Sequence, residues 1–125
     1  MSQEEQNLQT VQNWMNLYNT DPTRMVTDCY TPDCVVECMG LLTINGRDEF
    51  IKIEEDVLAA VPDRTFRIDH SHAVGDKVIA EAVLTFTGSA GEKVDSHFCA
   101  VLTFKDGKIA TDRTYLDQTN WPGLA

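Results

Sequence analysis

The sequence predicts an α+β fold in which a curved antiparallel sheet, covered by helices on one face, closes as a cone around a long N-terminal helix. Three observations predict it. Apolar residues in the first half recur at helical spacing, those in the second half alternate with polar ones, and the two kinds of segment are grouped rather than interleaved. The turn Lys105-Asp106-Gly107 between two alternating runs, 95–104 and 108–117, marks a β-hairpin, because Gly suits positive φ and Asp tolerates it.

Taken in order, Leu8, Val11, Trp14, Met15 and Tyr18 give an amphipathic helix over residues 4–19. Asp21-Pro22 reads as the cap and first residue of a short second helix whose buried face is Met25, Val26, Cys29 and Tyr30, and Thr31-Pro32-Asp33 stops it. Residues 34–38 and 41–44 read as a small strand pair. Asn45 is a cap candidate for a third helix, with Asp48 and Glu49 complementing its dipole and a repeat through Phe50, Ile51, Ile53, Glu54, Val57, Leu58 and Val61 ending at Pro62. Strands follow at 66–74 and 78–88, and with the hairpin they make a four-stranded meander.

Alternation then assigns the faces. The expected inner wall is Phe66, Ile68, Val78, Ala80, Ala82, Leu84, Phe86, Phe98, Ala100 and Leu102, continued by Ala110, Asp112, Thr114 and Leu116 in preference to the opposite parity with Ile109 and Arg113. Small residues at Ala80, Ala82, Ala100 and Thr114 leave a hollow at the open end of the cone.

A chain of 125 residues is read as a single domain, 1–125, able to bury a real core. A net charge of −10 argues against nucleic acid or an anionic membrane as partner. No apolar run approaches a membrane span, and the acidic start Ser2-Gln3-Glu4-Glu5 is unlike a signal peptide, so a cytoplasmic location is expected. Cys29, Cys34, Cys38 and Cys99 lack zinc-site spacing and read as free, buried thiols, with no metal and no cofactor expected.

The stretches Tyr30-Thr31-Pro32-Asp33-Cys34-Val35-Val36-Glu37, Asn45-Gly46-Arg47-Asp48-Glu49-Phe50 and Phe104-Lys105-Asp106-Gly107-Lys108-Ile109, in this order of elements, resemble the nuclear-transport-factor-2-like superfamily. Within it the chain is similar to the SnoaL-like domains, the branch that includes polyketide cyclases, with ketosteroid isomerase and limonene-epoxide hydrolase as relatives. The resemblance implies a cone-shaped α+β barrel, a deep apolar pocket for a small apolar ligand, and a homodimer through the outer face of the sheet. Known catalytic groups do not carry over. The isomerase phenol, base and acid fall at Trp14, Cys38 and Ala100, and the hydrolase Arg and two Asp fall at Ala82, Leu84 and near Thr114. The cyclase Asp and His match only Asp112 and His70 or His97.

Two functional classes stay open. One is a cofactor-independent isomerase or cyclase acting by acid-base chemistry on a hydrophobic carbonyl compound, with Asp112 as acid/base and Tyr18 or His70 as donor, because an inward carboxyl in an apolar hollow has a raised pKa. The other is a non-catalytic ligand-binding or dimerisation module. In either case Trp14, Cys38, Ala82, Leu84, Phe98, Ala100, Thr114 and Leu116 are the expected ligand contacts. His97 and Glu81 are expected on the outer face, and Trp121 to Leu124 over the pocket mouth or the partner subunit.

Overall fold

Ser2 opens the first helix by accepting the Glu5 N–H at 3.1 Å, and the chain runs as α1 (Gln3–Thr20) until Asp21 caps the next helix, α2 (Pro22–Cys29). The structure, a computed structural model, describes residues 2–120, so the expectation for Trp121 to Leu124 lies outside the described residues. Then come β1 (Tyr30–Cys38), β2 (Leu42–Asn45), α3 (Arg47–Ala60), β3 (Thr65–Val74), β4 (Lys77–Thr87), β5 (Lys93–Lys105) and β6 (Lys108–Leu116).

The strands form one curved six-stranded sheet in the order β2-β1-β6-β5-β4-β3. It is mixed, because β1 runs parallel to β6 while every other pair is antiparallel. The antiparallel meander of β3 to β6 is the expected one, and the parallel β1–β6 pair adds to the expected antiparallel sheet. The partner of β1 is about 75 residues away in sequence, and no local turn announces such a pairing. The parallel register sets Val36 beside Asp112 and Cys38 beside Thr114.

Two bulges revise the expected faces. Between Thr103 and Phe104 the pairing slips, so Leu102 faces Asp112 while Phe104 faces Ile109. Ile109 is therefore fully buried beside an inward Asp112, and Ala110 is the extra residue rather than part of the wall. In β3 the slip falls between Ile68 and His70, which pair with Ala82 and Glu81. Asp69 is the extra residue, and it turns His70 and His72 to the outside.

Helices α1 and α3 cover the inner face. Trp14 and Tyr18 close on Phe66 with ring centroids 4.9 and 4.7 Å away, Phe66 meets Phe98 at 5.5 Å, and Tyr30 meets Phe50 at 4.9 Å. These tilted and edge-on contacts are the geometry aromatic quadrupoles favour. Asn19 fixes the end of α1 to β3 as an extra strand would, donating to the Phe66 carbonyl at 2.9 Å and accepting the Phe66 N–H at 2.8 Å. At α3 the cap is Gly46, with φ of 85°, rather than Asn45. Its positive φ suits a residue without Cβ.

Candidate active site

Between α1, α3 and the sheet lies a cavity of about 170 Å³ lined mainly by apolar side chains, with Asp112, Glu54 and Arg64 as its charged groups. Leu41 and Leu42 line it and are exposed, which places its mouth beside the β1–β2 connection.

Asp112 is buried on the floor, 3% exposed. Tyr30 Oη lies 2.6 Å from its Oδ2, and Thr114 Oγ1 lies 2.7 Å from its Oδ1. Trp14 Nε1 reaches the same Tyr30 oxygen at 3.0 Å. Because an indole N–H can only donate, Tyr30 accepts from Trp14 and its own proton points to Asp112. The direction of the chain Trp14 to Tyr30 to Asp112 is thereby fixed.

Burial raises the Asp112 carboxyl above its ordinary value, while the hydroxyls of Tyr30 and Thr114 pull it back by stabilising the ionised form. Among the described residues no cation is paired with it. Burial, followed by the Asp112 charge, likewise pushes the Tyr30 phenol well above its usual range, so Tyr30 stays a hydrogen-bond donor at neutral pH.

On another wall Arg64 Nη2 donates to Glu54 Oε2 at 2.6 Å, and the guanidinium lies over the Tyr18 ring, 4.5 Å from its centroid. Desolvation raises Glu54, Arg64 opposes this, and the charge of Asp112 adds to it, so the two carboxylates sense one another across the cavity. The Tyr18 phenol is also raised, first by burial and then by Glu54.

The residues expected from sequence divide cleanly. Trp14, Tyr18, Cys38, Leu84, Phe98 and Thr114 line the cavity with Asp112. Ala82 and Ala100 are buried in the sheet beside their cross-strand neighbours Phe98 and Thr114 and are not among the lining residues. Leu116 packs against the core at its edge and is not among the lining residues. His70 is exposed on the outer face opposite Glu81, in a shallow groove shared with His97 and Cys99, and cannot serve Asp112 as donor. The bulge at Asp69 is the reason. Cys38 has its thiol pushed up to about 11, chiefly by burial, which argues against a nucleophile.

Sequence reasoning missed two groups. Tyr30 was placed on the packing face of α2, but the chain becomes extended there, φ −112° and ψ 153°, and the phenol turns to Asp112. Arg64 carried no local signal, although Glu54 within the apolar repeat of α3 was a hint that a buried carboxylate needed a cation. Tyr30→Phe is expected to cost about 1–3 kcal/mol in urea unfolding, because it strands both the indole N–H of Trp14 and Asp112 Oδ2. A further rise of the Asp112 pKa, read from its carboxyl carbon by NMR, should accompany the loss.

The model of the SnoaL-like domain family matches residues 11–111. The chain belongs to the SnoaL-like domain family. Among solved structures, Bal32a, from a soil-derived mobile gene cassette, superposes with a TM-score of 0.86 at 19% identity, covering 98% of each chain. A protein from Jannaschia sp. CCS1, described as a SnoaL-like polyketide cyclase, gives 0.84 at 18% identity, covering 95% of this chain and 90% of that one. An epoxide hydrolase of the LEH-like type from M. tuberculosis gives 0.82 at 20% identity, covering 95% and 88%. At these identities the likeness concerns the fold. No curated protein matches the sequence. Among the described residues of this SnoaL-like chain, no helix is long and apolar enough to cross a membrane, and no three His, Cys, Asp or Glu gather as metal ligands would.

Proposed function

We propose that this SnoaL-like protein binds an apolar carbonyl compound in the cavity and moves a proton at the carbon next to the carbonyl, as a cofactor-independent isomerase or cyclase would. Asp112 is the acid/base. The observation that carries this reading is a carboxyl enclosed in an apolar cavity, raised by burial, held by two hydroxyls and, among the described residues, paired with no cation. Such a group is basic enough to take a carbon-bound proton and acidic enough to return it. Tyr30 and Thr114 occupy one lone pair on each oxygen, which leaves each oxygen another for the substrate. Trp14 and Tyr30 keep the carboxyl from rotating. Family membership and the neighbour described as a polyketide cyclase support carbonyl chemistry.

A specific observation favours the second reading, a non-catalytic binding module: every contact that holds Asp112 is internal, so the network is also a complete structural unit. Deuterium incorporation separates the two. Acetophenone, small enough for the cavity and bearing exchangeable methyl hydrogens, is incubated with the protein in D2O and followed by NMR. Protein-dependent incorporation is expected; saturable binding with no incorporation between pH 5 and 9 would leave only the binding module.

A further inference from the structure

Arg64 stands where α3 ends and β3 begins, and its position is enforced from both sides. The preceding residue, Asp63, accepts the Thr87 N–H at 3.1 Å and the Thr87 hydroxyl at 2.5 Å, clamping this turn to the end of β4. The Arg64 N–H itself donates to the Val61 carbonyl at 3.2 Å. The side chain enters the cavity with only 1% of its surface exposed.

Inside, its donors are only partly used. Nη2 serves Glu54, and the plane rests on Tyr18, but Nε and Nη1 are buried with no acceptor among the described residues. Buried donors in folded proteins nearly always have partners, and an unmet one costs the full desolvation of the group. Nε–H and Nη1–H diverge on the guanidinium, so each is a separate unmet donor, and one such donor on a buried cation at a cavity wall can receive an oxygen atom. The other charges decide which kind. Glu54 and Asp112 already outnumber Arg64 among the lining residues, so an anionic ligand would add a third negative charge to an apolar space, whereas a neutral carbonyl adds none.

We propose that Arg64 receives the carbonyl oxygen of a neutral, apolar ketone on one of its two free donors, Nε–H or Nη1–H, while Asp112 addresses the neighbouring carbon. This rests on the proton-transfer reading above and supplies the electrophilic group that reading lacks. The C–H bond beside the carbonyl breaks, its proton passes to an Asp112 oxygen, and its electron pair forms the C=C bond as the carbonyl π pair moves onto oxygen. The oxygen's negative charge then faces a preorganised cation in a low-dielectric site, where such stabilisation is strongest. Returning the proton from Asp112 to the same or a conjugated carbon completes the exchange. Glu54 is a positioning residue, because it touches Arg64 rather than the ketone.

The test compares acetophenone, ethylbenzene and benzoate, which share a ring and differ in the oxygen presented. By NMR titration the wild-type protein is expected to bind acetophenone about 10-fold or more tightly than ethylbenzene, the effect of a hydrogen bond to a charged group. In the double variant Arg64→Gln/Glu54→Gln, which removes both charges of the ion pair together, the ratio is expected to fall to about one. Should that variant not fold, the wild-type protein still decides: with ¹⁵N-labelled arginine, the Arg64 guanidinium resonances, Nε–H or Nη1–H, should move with acetophenone and stay still with ethylbenzene. Equal binding of the two, a ratio kept in the double variant, or guanidinium resonances both indifferent to acetophenone overturns the proposal. Tightest binding of benzoate overturns it in favour of a carboxylate ligand. Loss of the preference with deuterium incorporation intact defeats the role of Arg64 alone; a preference without incorporation defeats the proton transfer and leaves an oxygen-binding site.

Discussion

Asp112→Asn should fold as the wild type does and lose deuterium incorporation into acetophenone by about 10²–10⁴-fold, the usual contribution of a positioned acid/base. The amide keeps the shape of the carboxyl, and its oxygen can still accept from Tyr30, so the aromatic chain above it keeps its anchor. What it cannot do is take a proton from carbon. Stability gives an independent reading of the same group. The Asp112 carboxyl is raised in the folded protein, so its favourable contribution is fully present below the ordinary carboxyl pKa and is lost as pH rises through the raised value. The variant does not ionise. Urea midpoints should therefore shift in favour of Asp112→Asn as pH climbs through that window, and a difference independent of pH would show that Asp112 titrates as a free carboxyl does. Retained incorporation in a folded Asp112→Asn protein would remove this residue from the chemistry altogether.

The second large effect concerns the ion pair. Arg64→Met is expected to cost about 3–5 kcal/mol in urea unfolding, a substantial share of the stability of a domain this size, because it leaves Glu54 buried without its cation. Glu54 is raised by burial and by Asp112, and Arg64 is the group that holds it down; without Arg64 the carboxyl rises further. The double variant Arg64→Met/Glu54→Leu removes both charges and fills the space with apolar groups, and should come back close to wild-type stability or exceed it. If the single and double variants are equally unstable, packing of the Arg64 stem over Tyr18, rather than charge, is what the site loses. The contrast between them also shows why an ion pair persists where an apolar pair would be at least as stable, since only the ion pair offers unmet donors to a ligand.

Much of this architecture could be read in the chain. The helical repeat through Val11, Trp14 and Tyr18 and the alternation through Phe98, Ala100 and Leu102 are local periodicities, and burial selects them residue by residue. The inward course of Asp112 and Thr114 was legible for the same reason, since it follows from the parity of a hairpin whose turn is written in Asp106 and Gly107. His70 was misplaced and Ile109 assigned to the wrong face because a bulge inserts one residue and reverses parity beyond it, and neither Asp69 nor Ala110 differs from its neighbours in any way that marks an insertion.

The sequence by itself determined the α+β class, the covered sheet, the apolar lining and the inward course of Asp112, because each depends on the period of nearby side chains. Only the tertiary structure decided what that acid touches. Tyr30 reaches Asp112 through a parallel pairing across about 80 residues, and Arg64 meets Glu54 and Tyr18 where a helix end, a strand start and the N-terminal helix converge. Hydrogen bonds and charges act over a few ångströms of space, and a linear pattern carries no record of which distant residues folding will bring within that range.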